Sequence, residues 1–196
     1  MARHFRHLVS GLCAALAACM THAAPSETPE ELVPLIPARS TLFFHDYADL
    51  NGDGREDALL VVESATGKED DDGQRTLLIA VRQSDGKLKI VKRNEKVVYC
   101  RTCGGTMGDP LTEISVKART ITVEHYGGSG WRWGNSFKFA YSRRDDTWQL
   151  VRVEEYSFHF SQPDNVKSHS YKPPRDFGKI DIADFDPDKF QGVGPK

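Results

Sequence analysis

The sequence predicts an all-β domain, made mainly of antiparallel sheets in a β-sandwich or propeller-like arrangement, with at most one short C-terminal helix. Short runs rich in β-branched and aromatic residues recur along the chain and are separated by turn sequences. Apolar and polar residues alternate over 114–118 and over 137–141, a pattern typical of strands with one buried face. No segment has the apolar stripe of an amphipathic helix. No sequence repeat recurs, so a complete propeller is not supported.

Composition excludes several classes of protein. The chain has 196 residues, of which 39% are hydrophobic and 28% charged, and its formal net charge is -2. This length supports one hydrophobic core of ordinary size, and the apolar content is too high for an intrinsically disordered chain. No run approaches the roughly 20 apolar residues of a membrane-spanning helix. Lys and Arg are scattered along the chain, so the charge distribution gives no indication of nucleic-acid binding.

The first 23 residues have the features of an export signal. They combine a cationic start, a short apolar stretch over 8–18 and a small-residue cleavage site that ends at Ala23. A second processing route is also present, because residues 16–19 (LAAC) resemble the lipobox of bacterial lipoproteins, in which cleavage before Cys19 leaves that cysteine acylated. Both routes predict a protein outside the cytoplasm, either periplasmic or secreted or held on the outer membrane as a lipoprotein, with no other membrane contact.

Residues 24–40 predict a tether between this signal and a single domain over 41–196. The segment contains four prolines and three glutamates. Because proline neither continues a helix nor donates to a sheet, we expect a stiff, solvated leader.

The strand pattern begins at Thr41. The first four β-rich runs are 42–44, 58–63, 77–81 and 88–91. Ser84-Asp85-Gly86-Lys87 is a hairpin turn sequence between the last two. A longer run over 148–160 changes its apolar parity between Leu150 and Val151, which predicts a β-bulge. Asp186 and Pro187 suit the N-cap and first position of a short helix.

An acidic loop between the first two runs has the spacing of a calcium site. In DLNGDGRED, positions 1, 3, 5 and 9 carry side-chain oxygens, position 6 is a glycine that permits a sharp turn, and position 7 supplies a backbone carbonyl. The predicted ligand residues are Asp49, Asn51, Asp53, Arg55 and Asp57. Position 12 is Leu60 rather than a bidentate glutamate, so we expect an affinity in the extracellular range, about 10⁻⁴ to 10⁻³ M. The alternative is a hairpin turn rich in Asp and Asn that holds no metal.

Two cysteines, Cys100 and Cys103, remain after removal of the signal. An even number of cysteines in an oxidising compartment predicts a disulfide. Zinc would need a second pair of ligands, and no other close Cys or Cys/His pair exists in the sequence that follows the signal. A redox site of the thioredoxin type should begin a helix, whereas residues 97–99 resemble a strand. Redox or metal chemistry stays open as the alternative.

The glycine-rich stretch HYGGSGWRWG lies between two predicted strands, so it is not a phosphate-binding loop, which would begin a helix. Tryptophan and arginine dominate protein-binding hot spots. The candidate partner-binding residues are Tyr126, Ser129, Trp131, Arg132 and Trp133. The alternative is that one or both tryptophans are buried beneath the sheet.

We expect no enzymatic activity. The histidines after the signal are dispersed, with no HExxH motif. Ser129 does not lie in a nucleophile elbow, because its context is strand to strand rather than strand to helix.

Four features together resemble a family of small secreted or lipid-anchored proteobacterial proteins: the export signal, DLNGDGREDALLV, CRTCGGTMGDP and HYGGSGWRWGNSFKF. The acidic loop itself is similar to the calcium loops of integrin-type FG-GAP repeats. Calcium-loop lipoproteins of this kind serve as periplasmic immunity proteins against peptidoglycan hydrolases. Ser129-Gly130 also resembles the Ser-Gly loops that periplasmic lysozyme inhibitors insert into an active-site cleft.

This resemblance implies a non-enzymatic inhibitor or immunity protein, with Ca²⁺ as its cofactor and another envelope protein, a peptidoglycan hydrolase or effector, as its partner. The alternative is an envelope module that binds glycan or another envelope protein on a calcium-stiffened scaffold.

Overall fold

A computed structural model describes residues 28–65 and 72–189, and it confirms the all-β prediction. Within these two described ranges, nine strands form two antiparallel sheets. The strands are β1 (Ser40–Ala48), β2 (Asp57–Ser64), β3 (Arg75–Arg82), β4 (Leu88–Asn94), β5 (Leu111–Lys117), β6 (Thr120–Gly128), β7 (Trp131–Ser142), β8 (Thr147–His159) and β9 (Lys167–Tyr171). The export signal, Cys19 and residues 24–27 lie outside the described residues.

The four-stranded sheet has the order β1-β2-β3-β4, each strand pairing with the next along the chain. The predicted turn between β3 and β4 is confirmed: the N–H of Gln83 donates to the carbonyl of Lys87 over 2.8 Å, and Gly86 has a φ of 83°. Such a positive φ favours glycine, which has no Cβ to clash.

The five-stranded sheet has the order β5-β6-β7-β8-β9. The bulge predicted in the long run is confirmed in β8. Lys138 pairs with Arg152 and Phe139 with Leu150, so Val151 has no partner on β7. The extra residue keeps Leu150 and Val153 both on the buried face, because a strand would otherwise place them on opposite sides.

The core lies between the two sheets. Alternate residues of β2 and β3 face alternate residues of β6, β7 and β8 there, and a single apolar cluster joins both layers. Its buried members include Leu59, Val61, Leu77, Ile79, Ile121, Val123, Phe137, Phe139, Leu150 and Val153.

The tether prediction is wrong for the end of the proline-rich segment. Residues Glu30–Leu35 form a 3-10 turn, and Leu32 is completely buried against Ala58, Leu60 and Leu78 on the outer face of the four-stranded sheet. Covering that face removes apolar surface from water, which outweighs the cost of ordering the segment. The turn also brings Glu31 to Arg82, whose Nη1 lies 2.9 Å from its carboxylate.

One further local prediction differs from the structure. Residues 97–99 are not in a strand; Val97 and Val98 are buried in an irregular segment, which is why they are apolar. From Pro187 to Lys189 the chain makes a turn, with the N–H of Lys189 bonded to the carbonyl of Asp186, and the rest of the predicted short C-terminal helix lies outside the described residues. Within 28–65 and 72–189, neither of the two short 3-10 turns (Glu30–Leu35 and Gly105–Met107) has the length and apolar character that crossing a bilayer requires.

Candidate functional site

The acidic loop connects β1 to β2 and curls around the carboxylate of Asp49. That carboxylate accepts the N–H groups of Gly52, Asp53 and Gly54 over 2.7, 3.0 and 3.0 Å. Gly52 and Gly54 have φ values of 78° and 85°, a conformation that other residues adopt at a cost. The two glycines therefore produce the curl that the motif predicts.

Asp53 faces solvent and is engaged by a neighbour. The guanidinium of Arg55 contacts its carboxylate over 2.7 Å, and the Asn51 amide donates to the same oxygen over 3.1 Å. The bond from Arg55 lowers the pKa of Asp53 to about 2. Asp53 is therefore a carboxylate anion at any physiological pH, with a side-chain cation beside it.

Asp57 faces the interior instead. One of its oxygens accepts the N–H groups of Leu50 and Asn51, and the other accepts the N–H of Arg82 from β3. The side chain is fully buried, and burial raises its pKa. Asp57 thus fastens the acidic loop to the sheet through backbone donors.

The loop also contacts the five-stranded sheet. The indole N–H of Trp148 donates to the Leu50 carbonyl over 3.0 Å. Arg119 and Arg143 lie against Gly52, where a Cβ would come within 2.9 Å of the Arg119 side chain. Gly52 is therefore needed for close packing as well as for its backbone conformation.

The oxygen donors of the loop fit a hard cation in kind but are otherwise occupied in this arrangement. Asp49 and Asp57 accept backbone N–H groups, and Asp53 is paired with Arg55. Among the described residues no group of three or more His, Cys, Asp or Glu side chains is arranged to hold a metal. An ionised carboxylate has about four lone-pair sites, so Asp49 and Asp57 can keep these bonds beside an ion, whereas the Asp53 oxygen paired with Arg55 would exchange the guanidinium for calcium.

The predicted disulfide is present, linking Cys100 to Cys103 with a Cα–Cα distance of 5.1 Å. The residues that follow it pack on the end of β6. Gly104 accepts the N–H of Gly128 over 2.9 Å, and the Thr106 hydroxyl donates to the Gly128 carbonyl over 3.0 Å. The disulfide loop (residues 100–109) therefore supports the β6–β7 hairpin from below.

A buried arginine fastens this disulfide loop to the four-stranded sheet. The side chain of Arg75 is fully buried; its Nη1 donates to Asp109 over 2.8 Å and its Nε to Glu63 over 3.1 Å. The guanidinium also lies 4.1 Å from the ring centroid of Phe43. The charge is thus neutralised on two sides, as a buried cation requires.

The tip of the β6–β7 hairpin presents an aromatic surface, which we call the aromatic tip: Ser129, Gly130, Trp131, His159 and Phe160. Trp131 is 59% exposed and Phe160 62% exposed. The rings of Trp131 and His159 meet edge to face with centroids 5.3 Å apart, and His159 lies 5.0 Å from Phe160. The N–H of Phe160 donates to the Gly130 carbonyl over 2.9 Å.

The other predicted partner-binding residues are not at the aromatic tip. Tyr126 lies on the solvent face of the five-stranded sheet, in register with Gly134. Arg132 is half-buried, and its guanidinium donates to the Gly128 carbonyl over 3.0 Å. Trp133 is half-buried on the inner side, edge to face with Tyr99 at 5.9 Å. Of the five candidates, only Ser129 and Trp131 share the tip.

Sequence reasoning did not identify His159 and Phe160 as site residues. They lie about 30 residues from Trp131 and meet it only because Trp131 pairs with His159 across β7 and β8. The run of aromatic residues at the end of the long strand, FHF, was the available signal.

His125 is the buried histidine of the described chain and belongs to a closed network. The N–H of Tyr99 donates to Nε2 over 3.2 Å, so the hydrogen is on Nδ1, which donates to Asn135 over 2.9 Å. The Asn135 amide in turn donates to the Tyr99 hydroxyl over 3.0 Å. Burial lowers the pKa of His125 to about 4. The network connects β6 and β7 to Tyr99, the residue immediately before the disulfide loop.

The acidic loop and the aromatic tip are at opposite ends of the five-stranded sheet. Arg119, which contacts the loop, immediately precedes β6, and the tip follows the end of β6. Nine strand residues separate them, which is roughly 27 Å.

No protein-family model, curated protein or solved structure matches this chain.

Proposed function

We propose that this protein is an exported, calcium-binding β protein of the bacterial envelope that inhibits a peptidoglycan hydrolase by direct contact, as an immunity protein does, and that it catalyses no reaction. The observation that carries the proposal is the aromatic tip. Two large aromatic side chains, Trp131 and Phe160, are more than half exposed at the end of a rigid hairpin. Exposed aromatic side chains in soluble proteins are the usual anchors of protein interfaces.

The tip is well suited to enter a concave site. The turn consists of Ser129 and Gly130, so little volume lies beyond Trp131. Its backbone is fixed from below by Thr106 and from the side by the bond between Phe160 and Gly130. A rigid tip loses little conformational entropy when it binds, so more of the contact energy is available for affinity.

In this proposal calcium binds at the acidic loop and not at the aromatic tip. Asp49, Asn51, Asp53 and Asp57 offer side-chain oxygens and Arg55 a carbonyl, the ligand chemistry that Ca²⁺ prefers. The loop joins β1 to β2 and contacts Trp148 in the opposite sheet. A bound ion would therefore stabilise the contact between the sheets without touching the partner.

The inhibitory role is tested by turbidity clearing of purified sacculi with muramidases and amidases, in the presence of the full exported protein. Trp131→Ala should weaken inhibition by about thirtyfold or more, because loss of a hot-spot aromatic costs about 2 kcal/mol or more. Its melting temperature should stay close to that of the parent, since the side chain is mostly exposed.

Val91→Ala is the matched control, because Val91 is also exposed but lies on β4, away from the tip. It should inhibit as well as the parent. If Trp131→Ala inhibits with parental potency, the aromatic tip is not the inhibitory site. If the parent inhibits no hydrolase of either class, the proposed function is wrong.

A further inference from the structure

A groove of about 740 Å³ opens at one end of the sandwich, between the start of β3, the end of β4 and the disulfide loop. It exists because β3 begins at Arg75 whereas β4 ends at Asn94, opposite Leu77. The first residues of β3 therefore pair with β2 alone, and the chain after β4 turns away. The side chains of Trp133 and Tyr99 and the disulfide line the far side of the groove.

The cations in the groove wall are neutralised by this chain's own carboxylates. Arg75 is paired with Asp109 and Glu63. Arg93 lies 2.7 Å from Glu95, and Lys96 is paired with Asp186. An anionic ligand would have to break these pairs, so the groove is poorly suited to phosphate or a carboxylate.

The uncharged polar side chains of the groove wall, unlike the cations, have no partner in this chain's described residues. Within 28–65 and 72–189, the side chains of Ser64, Gln74 and Thr76 make no hydrogen bond to the protein. The indole N–H of Trp133 likewise has no acceptor among these residues. The side chains of Ser64, Thr76 and Trp133 are half-exposed and that of Gln74 is exposed. A ligand can therefore reach them without displacing other parts of the protein.

We propose that this groove binds a neutral oligosaccharide. Sugar hydroxyls both donate and accept, which matches the hydroxyls of Ser64 and Thr76, the amide of Gln74 and the indole N–H of Trp133. The half-buried ring of Trp133 offers apolar contact to the C–H face of a pyranose ring, whereas the ring of Tyr99 is stacked on His125 with centroids 4.1 Å apart and contributes only its edge. The cavity volume is within the range that holds ligands of this size.

Asp188 also lines the groove, and its carboxylate forms no ion pair within residues 28–65 and 72–189. It can accept hydroxyl donors from a sugar and repels acidic saccharides. A neutral saccharide is therefore favoured over an acidic one of the same length. The proposal goes beyond the inhibitory role and does not depend on it, because Gln74 and Trp133 are not part of the aromatic tip.

Isothermal titration of the full exported protein with N-acetylchitotriose, cellotriose and trigalacturonate tests the assignment. At least one neutral trisaccharide should bind with a Kd of about 1 mM or tighter. Trigalacturonate should bind more weakly than the better neutral probe, because Asp188 repels it and the wall cations are already paired.

Two variants locate the binding in the groove. Trp133→Leu should weaken it by about tenfold and Gln74→Ala by about fivefold. Val91→Ala is the control, because Val91 is exposed on β4 but does not line the groove, and it should leave saccharide binding unchanged. Because Gln74 is exposed, its variant tests the groove even if Trp133→Leu disturbs packing.

Two results would overturn the proposal. The first is the absence of binding by both neutral trisaccharides at about 10 mM, or tighter binding of trigalacturonate than of either. The second is neutral-saccharide binding that Gln74→Ala leaves at parental strength, since the saccharide would then occupy another surface.

Discussion

Lowering the pH below 6.5 should destabilise this protein through His125. The folded state keeps the imidazole neutral, because the site is buried and Nε2 already accepts the N–H of Tyr99. Protonation would place two N–H donors against each other. In the unfolded chain the same group binds a proton near its ordinary pKa of about 6.5. The unfolded state therefore binds more protons between the two pKa values.

The magnitude follows from the shift. A pKa lowered from 6.5 to about 4 corresponds to about 3 kcal/mol, at about 1.4 kcal/mol for each unit. Stability from this group is fully present above pH 6.5 and is lost progressively as the pH falls to 4. That loss is a large part of the roughly 5–15 kcal/mol that holds a domain folded.

The variant that isolates the effect is His125→Gln. A glutamine oxygen can accept the Tyr99 N–H, and its amide can donate to Asn135, so the network survives without a titrating group. Urea unfolding followed by tryptophan fluorescence, at intervals from pH 7 to pH 4, gives the free energy of unfolding for both proteins. The parent should lose about 3 kcal/mol more than the variant over this range.

Other groups titrate in the same interval, and they are common to both proteins. The difference between the two curves therefore reports His125 alone. Parallel curves for the parent and His125→Gln would refute the reasoning, as would an NMR titration that finds a pKa near 6.5 for His125 in the folded protein.

Two further predictions concern the acidic loop and the proline-rich segment. Calcium should stabilise the protein relative to chelator and so raise its melting temperature; the gain is about 2.7 kcal/mol at 100 times the Kd, which is about 10–100 mM calcium for the expected affinity. Asp53→Ala should abolish the difference, and Arg55→Ala should tighten binding by removing the competing guanidinium. Identical melting curves in calcium and chelator would contradict the assignment. Leu32→Ala should lower the free energy of unfolding in urea by about 2–5 kcal/mol, because the side chain is completely buried. Val33→Ala, at a neighbour that is 54% exposed, should leave it almost unchanged. Equal effects of the two variants would mean that the segment is not packed on the sheet.

The strands could be predicted because alternation is a local signal. One face of each strand of the five-stranded sheet is buried, so polarity alternates along the chain and even the bulge at Val151 changes the pattern visibly. The burial of Leu32 could not be predicted in the same way. Its apolar neighbours lie among prolines and glutamates, and only the exposed apolar face of the folded sheet makes their burial favourable.

The candidate sites also differ in whether a local sequence signal encodes them. The acidic loop and the disulfide are encoded in short spacings, so their residues could be named from the sequence. The aromatic tip depends on the register of β7 with β8, which brings His159 to Trp131. Strand register follows from the packing of whole sheets, so a short motif does not contain it.

Trp131 and Trp133 differ in exposure because they have different neighbours in the folded protein. Two residues apart on one strand, they face the same side of the sheet. Trp133 lies over Tyr99 and the disulfide loop, whereas Trp131 extends past that support and packs its ring against His159. The strand thus passes from the wall of the groove to the aromatic tip within two residues.

The disulfide loop borders both the groove and the aromatic tip, through Cys103 in the groove wall and through Thr106 beneath the tip. A partner at the tip and a saccharide in the groove would therefore rest on one rigid segment, with separate side chains for each.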